Sequence, residues 1–349
     1  MTATFDVRFH AGYANLPANP FHFQGKGQVT VEADFVRLRG SVHRSFRLPA
    51  RAEQRLRMID IVNVYSEGRH VHFHVLGVRE NQAVGFTLRD ADSAQRLAAL
   101  LPTRQTETFA VAFAEQETFH DRIDYWSPST PVIWTLLALN IGIFFLMWCL
   151  RPSVPGGTMG ALVGWGTKSP VDVMLRSYQL IAWGSNVTSL TLHGQPWRLV
   201  TSMFLHGSLL HLAFNMFALW QVGQLVERLF GSLRFIGLYM VAGVCGSLAS
   251  VLWHPSVSSV GASGAIFGIV GGLFAFTRRA HSGVPPTVVT ELQGSLLPFL
   301  VFNLLAGFAY PHTDNAAHIG GLVGGWLAGF VLARSIHVPH DGDKDRHAA

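Results

Sequence analysis

Two patterns of hydrophobic and polar positions divide the chain. Up to about residue 110 the apolar positions come in short alternating runs, the period of half-buried strands. Gln28–Val36 (QVTVEADFV), Met58–Val64, His70–Leu76 and Ala83–Leu88 read as strands separated by turn-rich pieces such as SEG and GVREN. In the next stretch, DADSAQRLAALL, Asp90 or Asp92 caps a helix that turns Leu97, Leu100 and Leu101 to one face. Residues 102–128 are polar and end in YWSPSTP, with Tyr125 and Trp126 placed as an aromatic belt before a membrane span. From Pro131 the pattern changes to long apolar runs with little charge, and six have the length of a span. They are Val132–Leu150, Ser208–Val226, Phe235–Trp253, Gly261–Thr277, Leu292–Tyr310 and Asn315–Ala333. The second and fifth carry His211, Asn215 and Asn303 among their apolar residues. Backbone polar groups in hydrocarbon must satisfy one another within the segment, so these runs are expected to be helices. The expected fold is an all-α polytopic membrane protein, a six-helix bundle over 131–335, preceded by a small soluble β-rich domain at 1–110 and a connector at 111–130, with a tail at 336–349.

Composition supports a membrane protein. Charged residues make up 13% of the 349 and the mean hydropathy is +0.29, too apolar for an ordinary soluble enzyme. The net charge of +5 does not point to nucleic acid, because the basic residues are scattered and no Lys/Arg run or aromatic-interleaved patch occurs. Cys149 and Cys245 each lie in an apolar segment without CxxC spacing and read as buried small hydrophobes. The N-terminus lacks the basic start and apolar core of a signal peptide, so the β-rich domain and the tail are both expected in the cytoplasm. That orientation puts Arg228, Arg234, Arg278, Arg279 and Arg334 on the cytoplasmic side, against Arg151, Lys168, Arg176 and Arg198 outside, a modest positive-inside bias. The expected location is a bacterial inner (plasma) membrane, with membrane lipids as neighbours. In the long outer loop Arg151–Trp197, VDVMLRSYQLIAW reads either as an interfacial helix or as plain loop. Asn186-Val187-Thr188 matches a glycosylation sequon, without meaning in a bacterium.

Polar groups inside spans are costly and mark function. Four features stand out: Gly261-Ala262-Ser263-Gly264 opening span four, His211 and Asn215 in span two, Ala317-His318-Ile-Gly-Gly321 in span six, and Gly223, Glu227 and Gly231 at the inner end of span two. Spans two, four and six run in the same direction, so Ser263, His318, His211 and Asn215 fall at one depth near the outer surface. Gly264, Gly268 and Gly272 share a face of span four, and Gly321, Gly325 and Gly329 share one of span six, so those backbones can approach closely. A serine hydroxyl becomes nucleophilic when a histidine takes its proton, and the oxyanion that follows needs fixed donors. His211 and Asn215, four apart on one helix face, are suitable donors, with the Ser263 N–H at a helix N-terminus as a third. His206 and His211 as zinc ligands are set aside, since their spacing gives no shared face and no carboxylate or HExxH partner accompanies them. No metal and no cofactor is expected. His312 reads as solvated, and His70, His72 and His74 read as surface polarity on one strand face.

These motifs resemble a known family. GASG on span four, HxxxN on span two and AHxxGxxxG on span six look like the hallmark motifs of rhomboid intramembrane proteases, and GxxxExxxG with the Trp197-Arg198 pair is similar to further family features. The resemblance covers about 150–335. It implies a serine endopeptidase acting on the transmembrane segments of protein substrates, with Ser263 as nucleophile, His318 as base and His211 with Asn215 at the oxyanion. It also implies a dyad without an acid; Asp314, just before span six, is the one nearby carboxylate and is given no part. Many relatives carry tyrosine four residues after the serine, where this chain has Phe267, whose ring can stack on His318 without a phenolic hydroxyl. Glu227 is given structural work, tying the inner end of span two to nearby backbone. A non-proteolytic relative that only binds transmembrane helices is disfavoured because serine and histidine are both present, and a transporter because no inverted repeat is found. The N-terminal strands closed by one helix resemble a pleckstrin-homology-like barrel, and no motif specifies a ligand for it.

Overall fold

The structure is a computed structural model, and it describes residues 2–10, 20–42, 49–78, 83–150, 170–253, 258–278, 284–309 and 313–333. Its contacts divide the chain into two compact units, one of Met1–Thr118 with Thr290–Pro298, the other of Phe119–Val289 with Phe299–Ala349. His312, Arg279, Arg334 and the tail lie outside the described residues, as does much of the long outer loop.

Among the described residues the first unit is a seven-stranded antiparallel sheet. Its strands are β1 (Ala3–Phe9), β2 (Phe23–Val31), β3 (Phe35–Val42), β4 (Ala50–Arg57), β5 (Ile61–Glu67), β6 (His70–Val75) and β7 (Ala83–Thr87), in the order β4-β3-β2-β1-β7-β6-β5. Two meanders are thus joined where β1 pairs with β7. Alternation puts Val7, Phe9, Val29, Leu38, Phe73 and Phe86 into one core, which α1 (Ala91–Ala99) closes with Ala94 and Leu97. Asp90 is the cap, accepting from the Ser93 N–H at 2.7 Å, while Asp92 pairs with Arg96.

Several expectations need correcting here. Gln28–Val36 is not one strand but the hairpin between β2 and β3. Val31 and Val36 face each other across it, and Glu32 N–H donates to the Phe35 carbonyl at 2.8 Å. Met58–Val64 starts as a 3-10 turn, Met58–Asp60, before β5 begins. Alternation also missed β4, an edge strand (ARAEQRLR) whose single buried residue is Leu56. The polar connector is largely a helix, α2 (Glu107–Trp126), with Phe119 and Ile123 buried at helical spacing. Leu100 is exposed, in contrast to Leu97 and Leu101.

The second unit is helical. Five helices are long and apolar enough to cross a membrane, among them α3 (Pro131–Cys149), counted with those below among the described residues. In the outer loop stand α4 (Pro170–Trp183), α5 (Thr188–Leu192) and α6 (Arg198–Thr201), so VDVMLRSYQLIAW is helical. The other long helices are α7 (Leu209–Phe230), α8 (Ser232–Trp253), α10 (Pro286–Ala309), whose Thr290–Pro298 stretch counts with the first unit, and α11 (Asn315–Ala333). Between α8 and α10 in the chain, α9 (Ser263–Thr277) is apolar but has only 15 residues, short for a full span, and it starts two residues later than expected. Phe214, Phe217, Leu252, Phe302 and Val331 stand exposed on the long helices, a distribution suited to lipid rather than water. The chain is an integral membrane protein. Cys149 is exposed rather than buried, at the end of α3.

Glycine sets the spacing at the centre of this unit. Added Cβ atoms at Gly321, Gly325 and Gly329 on α11 would collide with the backbone of Gly264, Gly268 and Gly272 on α9. On α8, Gly246 faces the Ala317 carbonyl oxygen, where a Cβ would lie 2.7 Å away, and it also approaches Gly264. Sequence reading picked out the first two stripes and missed this third wall.

Candidate active site

Each polar group of interest sits where a helix begins. Ser208 caps α7, its Oγ accepting from the His211 N–H at 3.2 Å, so His211 lies in the first turn and Asn215 in the second. Ser263 is the first residue of α9, after Gly261, whose φ of 123° no other residue type takes without strain. His318 is in the first turn of α11, where Asp314 Oδ1 accepts from the Ala317 N–H at 3.0 Å. Three helix N-termini thus frame one site, and their dipoles favour negative charge there.

The structure brings Ser263 and His318 together: His318 Nε2 lies 2.9 Å from Ser263 Oγ. Phe267, one turn along α9, stacks on the His318 ring with centroids 4.3 Å apart and planes within 4°. The missing phenol therefore leaves the ring contact intact. Among the described residues no side chain bonds His318 Nδ1, and Asp314 instead serves the start of α11.

His211 reaches the same place from α7. A side chain at Gly261 would put its Cβ 2.8 Å from His211 Nε2 and 3.9 Å from Ser263 Oγ. Glycine therefore keeps clear the space between the hydroxyl and the imidazole edge. Asn215 Nδ2 donates to the His211 carbonyl at 2.8 Å. A carboxamide has two N–H groups, so that bond uses one of them. His206, considered at the sequence level only as a zinc ligand, is buried and sets its ring edge-to-face with His211 at 5.1 Å. Among the described residues no group of three or more His, Cys, Asp or Glu side chains is placed to hold a metal.

The remaining motif residues support the frame. Glu227 is fully buried and accepts from the N–H groups of Val132 at 3.0 Å and Ile133 at 2.8 Å, and from Ser232 Oγ at 2.7 Å. Its carboxylate thus satisfies the orphan donors of α3 and fastens the start of α8 to the end of α7. Gly223, one turn earlier, leaves room for the Ile133 side chain, and Gly231 ends α7 with φ at 77°. Arg198 Nη1 donates to the carbonyls of Ile181 at 2.8 Å and Ser185 at 2.9 Å, and its guanidinium lies over the Trp197 ring at 4.8 Å. Asn186 of the sequon is buried and donates to the Ser247 carbonyl at 2.8 Å, so it is no glycan acceptor. Residues Asn186–Val187 form β8, which pairs with β9 (Ser258–Ser259) and ties the outer loop to the segment leading into Gly261.

A polytopic membrane protein with a serine–histidine pair at the meeting of three helix N-termini is the class that fold and site define. Comparison with known proteins agrees. The Rhomboid domain family matches residues 193–335. Rhomboid protease GluP of Bacillus subtilis (strain 168) is 43% identical over 153 residues, 44% of this chain and 29% of the relative. RHOMBOID-like protein 7 of Arabidopsis thaliana is 36% identical over 168 residues, 47% of this chain and 50% of the relative. Putative rhomboid protease YdcA of Bacillus subtilis (strain 168) is 30% identical over 164 residues, 46% of this chain and 80% of the relative. This chain belongs to the rhomboid family. It spans less than two thirds of the length of the first two relatives.

Proposed function

We propose that the chain is an intramembrane serine endopeptidase that cleaves transmembrane segments of other membrane proteins near the outer membrane face. The observation that carries the reading is the 2.9 Å contact between His318 Nε2 and Ser263 Oγ inside an apolar helix bundle. Ser263 Oγ attacks the peptide carbonyl carbon while its proton passes to His318 Nε2. The oxyanion formed is met by His211, by the free N–H of Asn215 and by the Ser263 backbone N–H. Collapse breaks the C–N bond, and His318 returns the proton to the leaving amine. Water then attacks the acyl ester as His318 takes its proton, and that proton passes to Ser263 Oγ when the ester C–O bond breaks and the acid is released. Packing by Phe267 holds the imidazole in place through both steps. Gly261, Gly264, Gly321 and Gly325 supply the close approach that the pair needs.

A helical peptide bond is shielded by its own hydrogen bonds, so the substrate must unwind near the cut, and helix-breaking residues there favour cleavage. The test is a purified panel of transmembrane segments in liposomes, with cut sites mapped by mass spectrometry; an intact panel would overturn the reading. In the same assay His211→Ala and Asn215→Ala are expected to lower kcat by on the order of 10²–10³, with little change in KM. A change confined to KM would remove their oxyanion role.

The membrane proposed is a bacterial plasma membrane, with both termini cytoplasmic. Topology reporters at Met1 and after Val338 should both score cytoplasmic and one near Gly157 outside; opposite ends would mean a miscounted span. A pleckstrin-homology-like reading of the first unit is supported by its seven antiparallel strands and closing helix, and it names no ligand.

A further inference from the structure

Four imidazoles share one face of the N-terminal sheet, away from the core. On β6, Val71 and Phe73 face the core, so His70, His72 and His74 take the other side. His10, directly after β1, sets its ring 5.4 Å from His70 and 5.6 Å from His72. Tyr65 of β5 stacks on His72 at 4.9 Å. The outer wall is α2, where Phe109 meets His74 edge-on at 5.6 Å and Phe109 and Phe113 lie 5.8 and 6.0 Å from Tyr65. The alternation of these histidines predicts solvent-facing side chains, but His72 is only 6% exposed.

The cluster is arranged for neutral rings. Nδ1 of His10, His72 and His74 is buried without a hydrogen bond. Gly85, opposite His72 in the ladder, makes room for two of them: a Cβ there would lie 2.7 Å from His72 Nδ1 and 3.1 Å from His10 Nδ1. On the other side, His10 Nε2 and His70 Nδ1 share the Thr87 hydroxyl at 2.7 and 3.1 Å. The charged groups around the face are Glu67, opposite His70 at the exposed end of β5, Arg8, two residues before His10, and Glu107, which opens α2. Among the described residues no carboxylate pairs with any of the four rings. A proton added here would charge a ring with no counter-ion and with other imidazoles as neighbours. Burial lowers His74, burial and then His70 lower His10, and burial followed by His10, His70 and His74 pushes His72 down to about 4.

We propose that this face is an acid-sensitive latch: while neutral it holds the first turns of α2 through Phe109 and Phe113, and charging it releases them. The start of α2 stays fixed, because Thr106 N–H donates to Asn63 Oδ1 at 2.7 Å and Asn63 Nδ2 to Thr106 Oγ1 at 3.1 Å. Release therefore hinges at Thr106. The sign follows from proton linkage. A histidine whose pKa is lowered in the closed state binds fewer protons there than when released, so the latch is intact above pH 6.5 and weakens as pH falls towards about 4. Since α2 runs on towards α3, the latch governs the covalent tie between the sheet and the spans.

The test is hydrogen exchange of the full chain in detergent with EDTA at pH 7.5 and 5.0, corrected for intrinsic rates. His72 alone should raise the opening of residues 107–118 by roughly 25-fold at the lower pH, while protection in α8 and α9 changes less than about threefold. His72→Phe, which keeps the packing and removes the titration, should abolish most of the response. Phe109→Ala should open the segment at pH 7.5 and make it indifferent to acid, which keeps the test decisive if His72→Phe misfolds. Equal protection at the two pH values in wild type, or an undiminished acid response in folded His72→Phe, overturns the latch.

Discussion

Ser263→Ala and His318→Ala are each expected to reduce cleavage of a transmembrane substrate to background, a loss on the order of 10³ or more in kcat/KM. Nucleophile and base act on one proton, so the double variant should be no worse than either single one. Additive losses would mean two independent roles. His318 is buried and Ser263 half-buried, and the α9–α11 seam rests on glycines rather than on either residue, so both variants should fold. A serine-directed phosphonate separates chemistry from substrate binding: it should label wild type at Ser263 alone, fail on Ser263→Ala, and lose most of its rate on His318→Ala. Labelling at another serine, or cleavage retained by Ser263→Ala, would sink the dyad.

The legible parts of the molecule were those where one physical rule acts alone. Span positions follow from the cost of polar groups in hydrocarbon, and α11 begins and ends at the expected residues. The glycine stripes predicted the contact that Gly264 and Gly321 make, beside which Ser263 and His318 meet. What escaped was set by partners distant in sequence. Nothing in QVTVEADFV shows that Val31 and Val36 face each other across a turn, because a hairpin and a strand share the alternation. The burial of His72 depends on Tyr65, His10 and Phe109, which come from three other elements. The helix α2 hides behind mixed polarity, since Phe109 and Phe113 lie against Tyr65 of the sheet while Phe119 and Ile123 are buried farther along. Gly246 stands among many small residues of α8, and only the neighbouring Ala317 carbonyl shows why it matters.

Gly321→Val is expected to abolish activity by separating the pair rather than by touching it. Gly321 meets Gly264 backbone to backbone, directly beside Ser263, and an added Cβ would collide with the Gly264 carbonyl. No flexible side chain is available to give way, so α9 and α11 must move apart. Overpacking of this kind costs about 1–3 kcal/mol and sometimes more. Proton transfer needs Ser263 Oγ and His318 Nε2 within about 2.6–3.2 Å, so even a displacement of about 1 Å carries a loss of on the order of 10². Gly321→Ala should show the same loss in milder form, with a lowered thermal midpoint and weaker phosphonate labelling in parallel. Gly142 on α3 and Gly237 on α8 provide the contrast. Neither has an atom within 4 Å of an added Cβ, so alanine there should leave cleavage unchanged and raise stability slightly. The measurement is cleavage rate against thermal midpoint for all four variants. If Gly321→Ala retained full activity and midpoint, the close seam would not be what holds Ser263 to His318.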